Sequence, residues 1–474
     1  MSRSTHALVW SAALAATVVA GFSTGLAQQP ARIAAEIYGR MPWRYIGPEG
    51  NRVSAVAGVP GDPLTYYAGS ASGGIFKSVD GGLNWQPIFD GQQVSSIGEI
   101  AVAPSDPSTV WAGTGESCIR SHISVGEGIF KSTDAGKTWA RMGLEQTGRI
   151  GSIAIDPQNP DIVTACALGH AYGPQQERGV YRTTNGGKTW ERVLFVDENT
   201  GCSRLSMDPK NPRRMFAGMW TLEIHTWGRD SGGPGSGLYV TNDGGTTWKK
   251  VEGRGLPTKT VGKTTPAIAP SDPNRVYALI ETGDGIPTDD GQETERGQVF
   301  RSDDGGESWR VVSYDRNAMG RTHYYAHVFV APDNPNETYY LNASYSVSLD
   351  GGEHLTELRG AEVPGGDHHD MWIDPTNPSR MFVGHDQGLS ISTNRGKSWL
   401  RQRLPNAQIY HVTTDNQIPY NVFGNKQDGP SYRGPSNSRL QGGFRTGSII
   451  PRAMWHTVGG GESGWATPDP VDSN

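Results

Sequence analysis

The chain is poor in cysteine, and none of its cysteines falls in a motif. Cys118, Cys166 and Cys202 are the only three in 474 residues. No CxxC spacing occurs, which argues against a thiol-redox motif or a zinc ribbon. The odd count leaves at least one thiol unpaired. A Cys166–Cys202 bridge would suit an oxidising compartment. Cys166, in the apolar run ACAL, reads most simply as a small buried hydrophobe. HExxH is also missing, and after residue 27 so is GxSxG, whose one occurrence, GFSTG at Gly21 to Gly25, falls in the N-terminal apolar stretch; with them go two common hydrolase signatures. There is no Lys/Arg run, and the net charge of −6 is interspersed, so nucleic acid is not an expected partner. Hydrophobic content is only 35 %, low for a helical protein but ordinary where short strands alternate with turns. No cofactor is expected.

What the chain does have is glycine, proline and tryptophan, at 64, 31 and 14 residues. The glycine and proline follow no collagen-like period, and the tryptophan argues against disorder. Residues 1–27 read as a secretory signal. Arg3 supplies the positive end, Ala7 to Phe22 is apolar, and Gly25-Leu26-Ala27 gives a small-x-small cleavage site. The apolar run is short for a membrane span, and no later stretch could be one. The expected organisation is a signal at 1–27, a linker at 28–42 and one repeat domain over 43–474. The expected location is periplasmic or secreted.

Self-similarity is the dominant signal. SVDGGLNW starts at Ser78, STDAGKTW at Ser132, TTNGGKTW at Thr183 and TNDGGTTW at Thr241. SDDGGESW starts at Ser302, a decayed SLDGGEHL at Ser348, and STNRGKSW at Ser392. Successive starts lie 54, 51, 58, 61, 46 and 44 residues apart. Before the boxes runs a second pattern, two short apolar strands around a Pro-Asp/Asn turn, as in IAIDPQNPDIVTAC from Ile153. Such a pair is a hairpin. With the strand entering the box and the strand leaving it, each repeat has four short antiparallel strands, A to D. That is a propeller blade, and blades must stack to bury their faces. The fold class is therefore all-β, a propeller of at least seven complete blades plus partial ones.

The box residues are expected to be structural, because the same element recurs in every blade. They are Ser78, Asp80 and Trp85; Ser132, Asp134 and Trp139; Thr183, Asn185 and Trp190; Thr241, Asp243 and Trp248; Ser302, Asp304 and Trp309; and Ser392, Asn394 and Trp399. Hydroxyl and carboxylate can bond the turn backbone, and the indole can pack over it.

These boxes resemble the Asp-box, or bacterial neuraminidase, repeat. That repeat is known from sialidases, xyloglucanase-type glycoside hydrolases and sortilin-type receptors. The spacing and the AxxPxDP turns look closest to the sortilin-like and xyloglucanase-like group. The resemblance implies a propeller that grips a ligand on one face. Two family features are missing. No Arg-Ile-Pro segment of the sialidase kind occurs. Ala71, in GSASGGIF, stands where the resemblance to xyloglucanases would place a catalytic aspartate.

An eighth blade is expected from Tyr410 without a box, and a ninth start at GGGESGWATPDPVDSN. Trp43 to Pro48 reads as a lone strand D. Together these suggest a ring left unfinished at residue 474, of about ten blades or as part of two propellers.

Function is expected on the face opposite the boxes, where the B–C and D–A loops gather. Blade 2 offers Glu116, Arg120 and His122. Blade 4 offers Trp220, Glu223, His225, Trp227, Arg229 and Asp230. Blade 7 offers His369, Asp370, His385 and Asp386, and blade 8 offers Lys426-Gln427-Asp428. Arg149, Arg321, His323, Glu99 and Glu462 occupy comparable positions in other blades. A glycosidase needs two carboxyl groups. The acidic candidates are Glu116, Glu223, Asp230, Asp370, Asp386 and Asp428. The ligand-binding candidates are Arg120, His122, Trp220, His225, Trp227, Arg229, His369 and His385. The blade 7 cluster could hold a metal ion or form a hydrogen-bonded plug. The leading expectation is an exported, monomeric binding protein for a glycan or peptide. The alternative is a glycoside hydrolase, xyloglucanase-like or sialidase-like, using acidic loop residues as acid and base.

Overall fold

The computed structural model describes residue 37 and residues 46–472, apart from 51, 121–122, 283–297, 439–440, 443–445, 449, 451 and 460. The signal and linker segments lie outside the described residues except for Ile37, as do His122 and Trp43 to Tyr45. The compact unit begins at Gly47.

The repeats fold as the box pattern dictates. Blade 1 consists of strands A to D at Val53–Gly58, Tyr66–Ser70, Ile75–Ser78 and Gln86–Pro87, hydrogen-bonded in that order. Seven further sheets follow. Their A strands are Ile97–Ala103, Ile150–Ile155, Thr200–Met207, Thr264–Ile268, His327–Val330, His368–Ile373 and Ile409–Thr414. Each sheet pairs antiparallel from A to D. Blade 4 carries an extra strand, Arg229–Ser231, which pairs with the extended end of its B strand, Met215–Ile224.

In each box the same short bonds close the C–D turn. In blade 2 the Ser132 hydroxyl donates to Asp134 Oδ1 at 2.8 Å and accepts from Gly136 N–H at 2.8 Å. Asp134 in turn accepts from the Thr138 N–H and hydroxyl at 2.8 and 2.6 Å. Gly82, at φ +90°, shows why the turn needs glycine. An added Cβ would also come within 2.3 Å of Ile391 in blade 7. The indole of Trp139 donates to Ile88 O of the preceding blade at 3.0 Å.

Packing between blades runs in cyclic order. One apolar cluster lies at each seam between consecutive blades from 1 to 7. The seventh cluster joins Val53, Val56, Tyr66 and Phe76 of blade 1 to Phe382, Leu389 and Ile391 of blade 7. Val56 N–H also donates to Asp370 Oδ2 across that seam, at 2.9 Å. The seven boxed blades therefore follow one another in a cycle, and blade 8 stands outside it. The element with no packed successor among the described residues is blade 8, not the boxed set. The expected ninth start does not form a strand in residues 461–472, and residues 46–48 are not a strand D. Cys166 of blade 3 and Cys202 of blade 4 are bridged, with Cα atoms 5.1 Å apart. Cys118 is free and buried.

The A strands line the axis, and several start with a one-residue bulge. The register shifts at Ser54, Gly98, Ser203 and His369 in blades 1, 2, 4 and 7. Bulges re-aim side chains. Ser54 and Ser203 use the position to bond the next blade, at Ile97 O and Thr264 O, both at 2.6 Å. Blade 7 places a histidine there.

Candidate functional site

The site starts from that bulge. His369 Nε2 meets Asp386 Oδ1 at 2.6 Å, and Asp386 sits in the tight B–C turn of its own blade. The same oxygen accepts from Tyr324 OH at 2.9 Å and from Arg52 Nε at 3.1 Å. Arg52 precedes strand A of blade 1, has φ of 40° and is 2 % exposed. Its other nitrogens reach Glu116 Oε1 at 3.0 Å and Asp428 Oδ2 at 3.4 Å. One guanidinium thus binds carboxylates from blades 2, 7 and 8. The planar fork of arginine suits this multiple contact.

Glu116 is fully buried and is gripped from its other side by Arg120, whose Nε and Nη2 donate to its two oxygens at 3.0 and 3.1 Å. Arg120 also donates to Gln427 and Gln408 of blade 8, at 3.0 and 2.9 Å. This network ties blade 8 to the ring.

Charges in the cluster are strongly biased. Burial opposes the Arg52 charge, but Glu116, Tyr324, Asp386 and Asp428 outweigh it and raise its pKa. Burial would raise Asp386, yet His369 and Arg52 hold it far below the carboxylate range. Burial opposes the His369 charge as well. Cys118 and Asp386 beside it prevail, and its pKa is raised to about 10. Asp428 goes the other way. Partial burial, then the charges of Asp386 and Glu462, push it up to about 6. Its side chain is 35 % exposed, whereas those of Glu116 and Asp386 are closed off. Glu462 Oε2 accepts the Asp428 N–H at 2.7 Å.

The other candidates fall in three places. Glu223, His225, Trp227, Arg229 and Asp230 share the blade 4 hairpin. Glu223 faces Asp230 across the pair. His225 bonds Asp230 at 2.9 Å and stacks on Trp227, with centroids 4.9 Å apart. Trp227 is 84 % exposed. Asp370 lies in the axial channel with Glu99, both facing Arg204. They floor a cavity of about 290 Å³ that opens between the A–B turns of the box side. Burial raises both carboxyls, and the Asp370 charge adds to the rise at Glu99.

Trp220 and His385 were expected at the ligand face and lie instead in the core. Trp220 is fully buried, with its indole N–H donated to Ser231 Oγ at 2.9 Å. His385 is 2 % exposed and bonds Ser390 Oγ at 3.0 Å. Among the described residues, no three His, Cys, Asp or Glu side chains converge on a metal position. The blade 7 cluster is a hydrogen-bonded network. Sequence reasoning missed Arg52, Tyr324 and Gln408, which lie outside the polar B–C loops that draw attention.

A family model described as sortilin, neurotensin receptor 3, matches residues 73–218 and 127–255. A probable oligoxyloglucan-reducing end-specific xyloglucanase of Neosartorya fischeri is 24 % identical over 292 residues, covering 54 % of this chain and 33 % of that protein. A xyloglucanase of Acetivibrio thermocellus is 27 % identical over 186 residues, covering 34 % of this chain and 20 % of that one. The chain therefore spans a third or less of the curated relatives it matches. The solved xyloglucanase of Xanthomonas campestris superposes with a TM-score of 0.57 at 16 % identity, over 88 % of this chain and 68 % of that one. The chain is an Asp-box β-propeller. This propeller resembles the xyloglucanase-like and sortilin-like group, and at such identity the structural likeness speaks for the fold alone. Among the described residues no helix is long and apolar enough to cross a membrane.

Proposed function

We propose that the protein is an exported glycoside hydrolase acting on a polysaccharide, with Asp428 as its general acid. The observation that carries this reading is an accessible carboxyl group held at about 6 beside the Arg52 guanidinium. A glycosidase acid must be protonated when the leaving oxygen needs a proton. Asp428 meets that need below about pH 6. Once it has given up the proton, its carboxylate is stabilised by Arg52. Glu116, Asp386 and His369 are positioning residues, because they fix Arg52 from below and have no access to substrate.

The second carboxyl group cannot come from the place the family resemblance suggests. Ala71 stands there, buried at 1 % exposure. Glu462 is the proposed partner, as the carboxylate bonded to the Asp428 backbone. The xyloglucanases among the relatives support a plant-type β-glucan as the first substrate to try.

The test is reducing-end release from xyloglucan and a panel of other polysaccharides, by the chain without residues 1–27. Release should fall as pH rises through about 6, because deprotonation removes the acid. Asp428→Asn should lower it by roughly 10²–10⁴-fold, the usual worth of acid–base catalysis. No release from a folded protein across the panel would leave the binding reading, which the exposed Trp227 platform favours.

A further inference from the structure

On the box side of the ring the axial channel ends in a shaft that the hydrolase reading leaves unused. Its cavity of about 290 Å³ is floored by Glu99 of blade 2, Arg204 of blade 4 and Asp370 of blade 7. Val56, Ile153 and Trp372 are among its walls. Pro60, Pro104 and Pro375 stand in the A–B turns at its mouth. Trp372 lies against the blade 1 backbone, where a Cβ on Gly58 would come within 2.4 Å of the ring. Among the described residues, charge therefore sits at the bottom of the shaft and the sides are apolar.

Two acids share one cation there. Arg204 Nη1 stands 3.6 Å from Glu99 Oε2, and both of its terminal nitrogens stand 3.4 Å from Asp370 Oδ1. Firm charge-assisted bonds run at about 2.7–2.9 Å, so Arg204 is a loose counterion between the two. Asp370 Oδ2 is taken by Val56 N–H. Glu99 is less well served. It is 8 % exposed, and among the described residues no side-chain donor reaches it closer than Arg204. Burial, then the Asp370 charge, work against its ionisation, and only Arg204 and its own Ile100 N–H favour it. Two other basic groups line the channel toward the loop face. Lys263 spends its ammonium on Tyr325 O at 2.6 Å, and burial first lowers it to about 8. His327 is kept neutral by burial, then by the Lys263 and Arg204 charges. A carboxylate so poorly answered at the end of an apolar shaft is short of a donor.

We propose that this shaft is a socket for a lysine side chain of a partner protein, with the alkyl stem against the apolar walls and the ammonium at Glu99 and Asp370. An unbranched stem with a charged tip matches that layout. The three donors of an ammonium suit acceptors that come from two different blades. The volume far exceeds one water and lies near the lower end of ligand pockets, so it admits a side chain and not an oligosaccharide. The socket and Asp428 lie on opposite faces, and the inference stands apart from the hydrolase reading.

The experiment titrates capped glycine-flanked peptides into the chain without residues 1–27. One peptide carries a central lysine and the other a central norleucine, a similar stem without the charge. Free 1,5-diaminopentane is titrated alongside. The lysine peptide should bind about tenfold tighter than the norleucine peptide, or more, since a charge-assisted bond is worth that much. Glu99→Gln should bring the preference close to unity, with thermal unfolding measured to show that the variant folds. On the unaltered chain, lysine binding should tighten from about pH 6 to about pH 8, by at most about tenfold per unit for each proton released. The sign follows from the floor. Burial raises both Glu99 and Asp370, so they ionise as pH rises, and Lys263 sheds its opposing charge near the top of that range. The ligand ammonium stays charged throughout. Equal binding of the two peptides overturns the proposal, as does the absence of lysine binding. So does a preference that survives Glu99→Gln, or an affinity that falls as pH rises. Binding of 1,5-diaminopentane but of no lysine peptide overturns it too, and marks a site for free amines. Asp428→Asn should leave lysine binding unchanged, and a loss there would put the lysine on the other face and overturn the socket.

Discussion

The two faces of the ring use aspartate in opposite ways. On the box face, Asp134 and Asp304 accept bonds from their own turns, within four residues of chain. The Thr138 and Ser308 donors, first among the causes, lower both to about 2. On the loop face, Arg52 finds Glu116, Asp386 and Asp428 at separations of 64, 334 and 376 residues. The first arrangement is copied blade after blade and only shapes a turn. The second occurs once, brings distant blades together and leaves Asp428 near neutrality. Repetition marks what holds the fold, and departure from it marks where chemistry gathers.

The contrast can be broken experimentally, beginning with its hub. Arg52→Ala removes one charge-assisted bond from each of two buried carboxylates, Glu116 keeping Arg120 and Asp386 keeping His369, and should cost roughly 3 kcal/mol in denaturant unfolding, at about 1.5 kcal/mol for each bond. An unchanged midpoint would mean that the cluster rearranges freely. Asp428→Asn comes next. It should remove cleavage by at least about 100-fold, or about 2.7 kcal/mol of barrier, with no loss of stability. Ser132→Ala, on the box face, should cost about 1–2 kcal/mol of stability by leaving Gly136 N–H unanswered, while glycan affinity holds. Loss of function without loss of stability there would erase the distinction between the faces. The smallest effect is expected for Trp227→Ala, about 0.5–1.5 kcal/mol in glycan affinity, read by titration, with no shift in melting.

The box face could be read almost entirely from sequence. Ser, Asp, Gly and Trp recur at fixed offsets, and each offset has a local cause. The loop face could be read only in part. Glu116, Arg120, His369, Asp386 and Asp428 stand out as polar loop residues, but nothing local says that they converge. Arg52 sits in the unremarkable GNRVS, and its partners come from blades 2, 7 and 8, all far from it in sequence. Trp220 and Trp227 look equivalent in one loop, yet strand pairing turns one inward and the other out. The Cys166–Cys202 bridge was one of several arrangements that three cysteines allow. It becomes decidable only when blades 3 and 4 are seen side by side. Blade 8 lacks a box because its D strand, His456–Gly459, comes after a long detour from its C strand at Ser431–Pro435.

The triple grip of Arg52 also makes the chemistry conditional on assembly. Its carboxylates arrive from the second, seventh and eighth sheets, so a chain folded only through its middle blades displays neither the hub nor an acid tuned by it. A half-made ring would therefore lack both the Arg52 hub and the acid proposed at Asp428, and the two would appear together, when the last sheets meet the first.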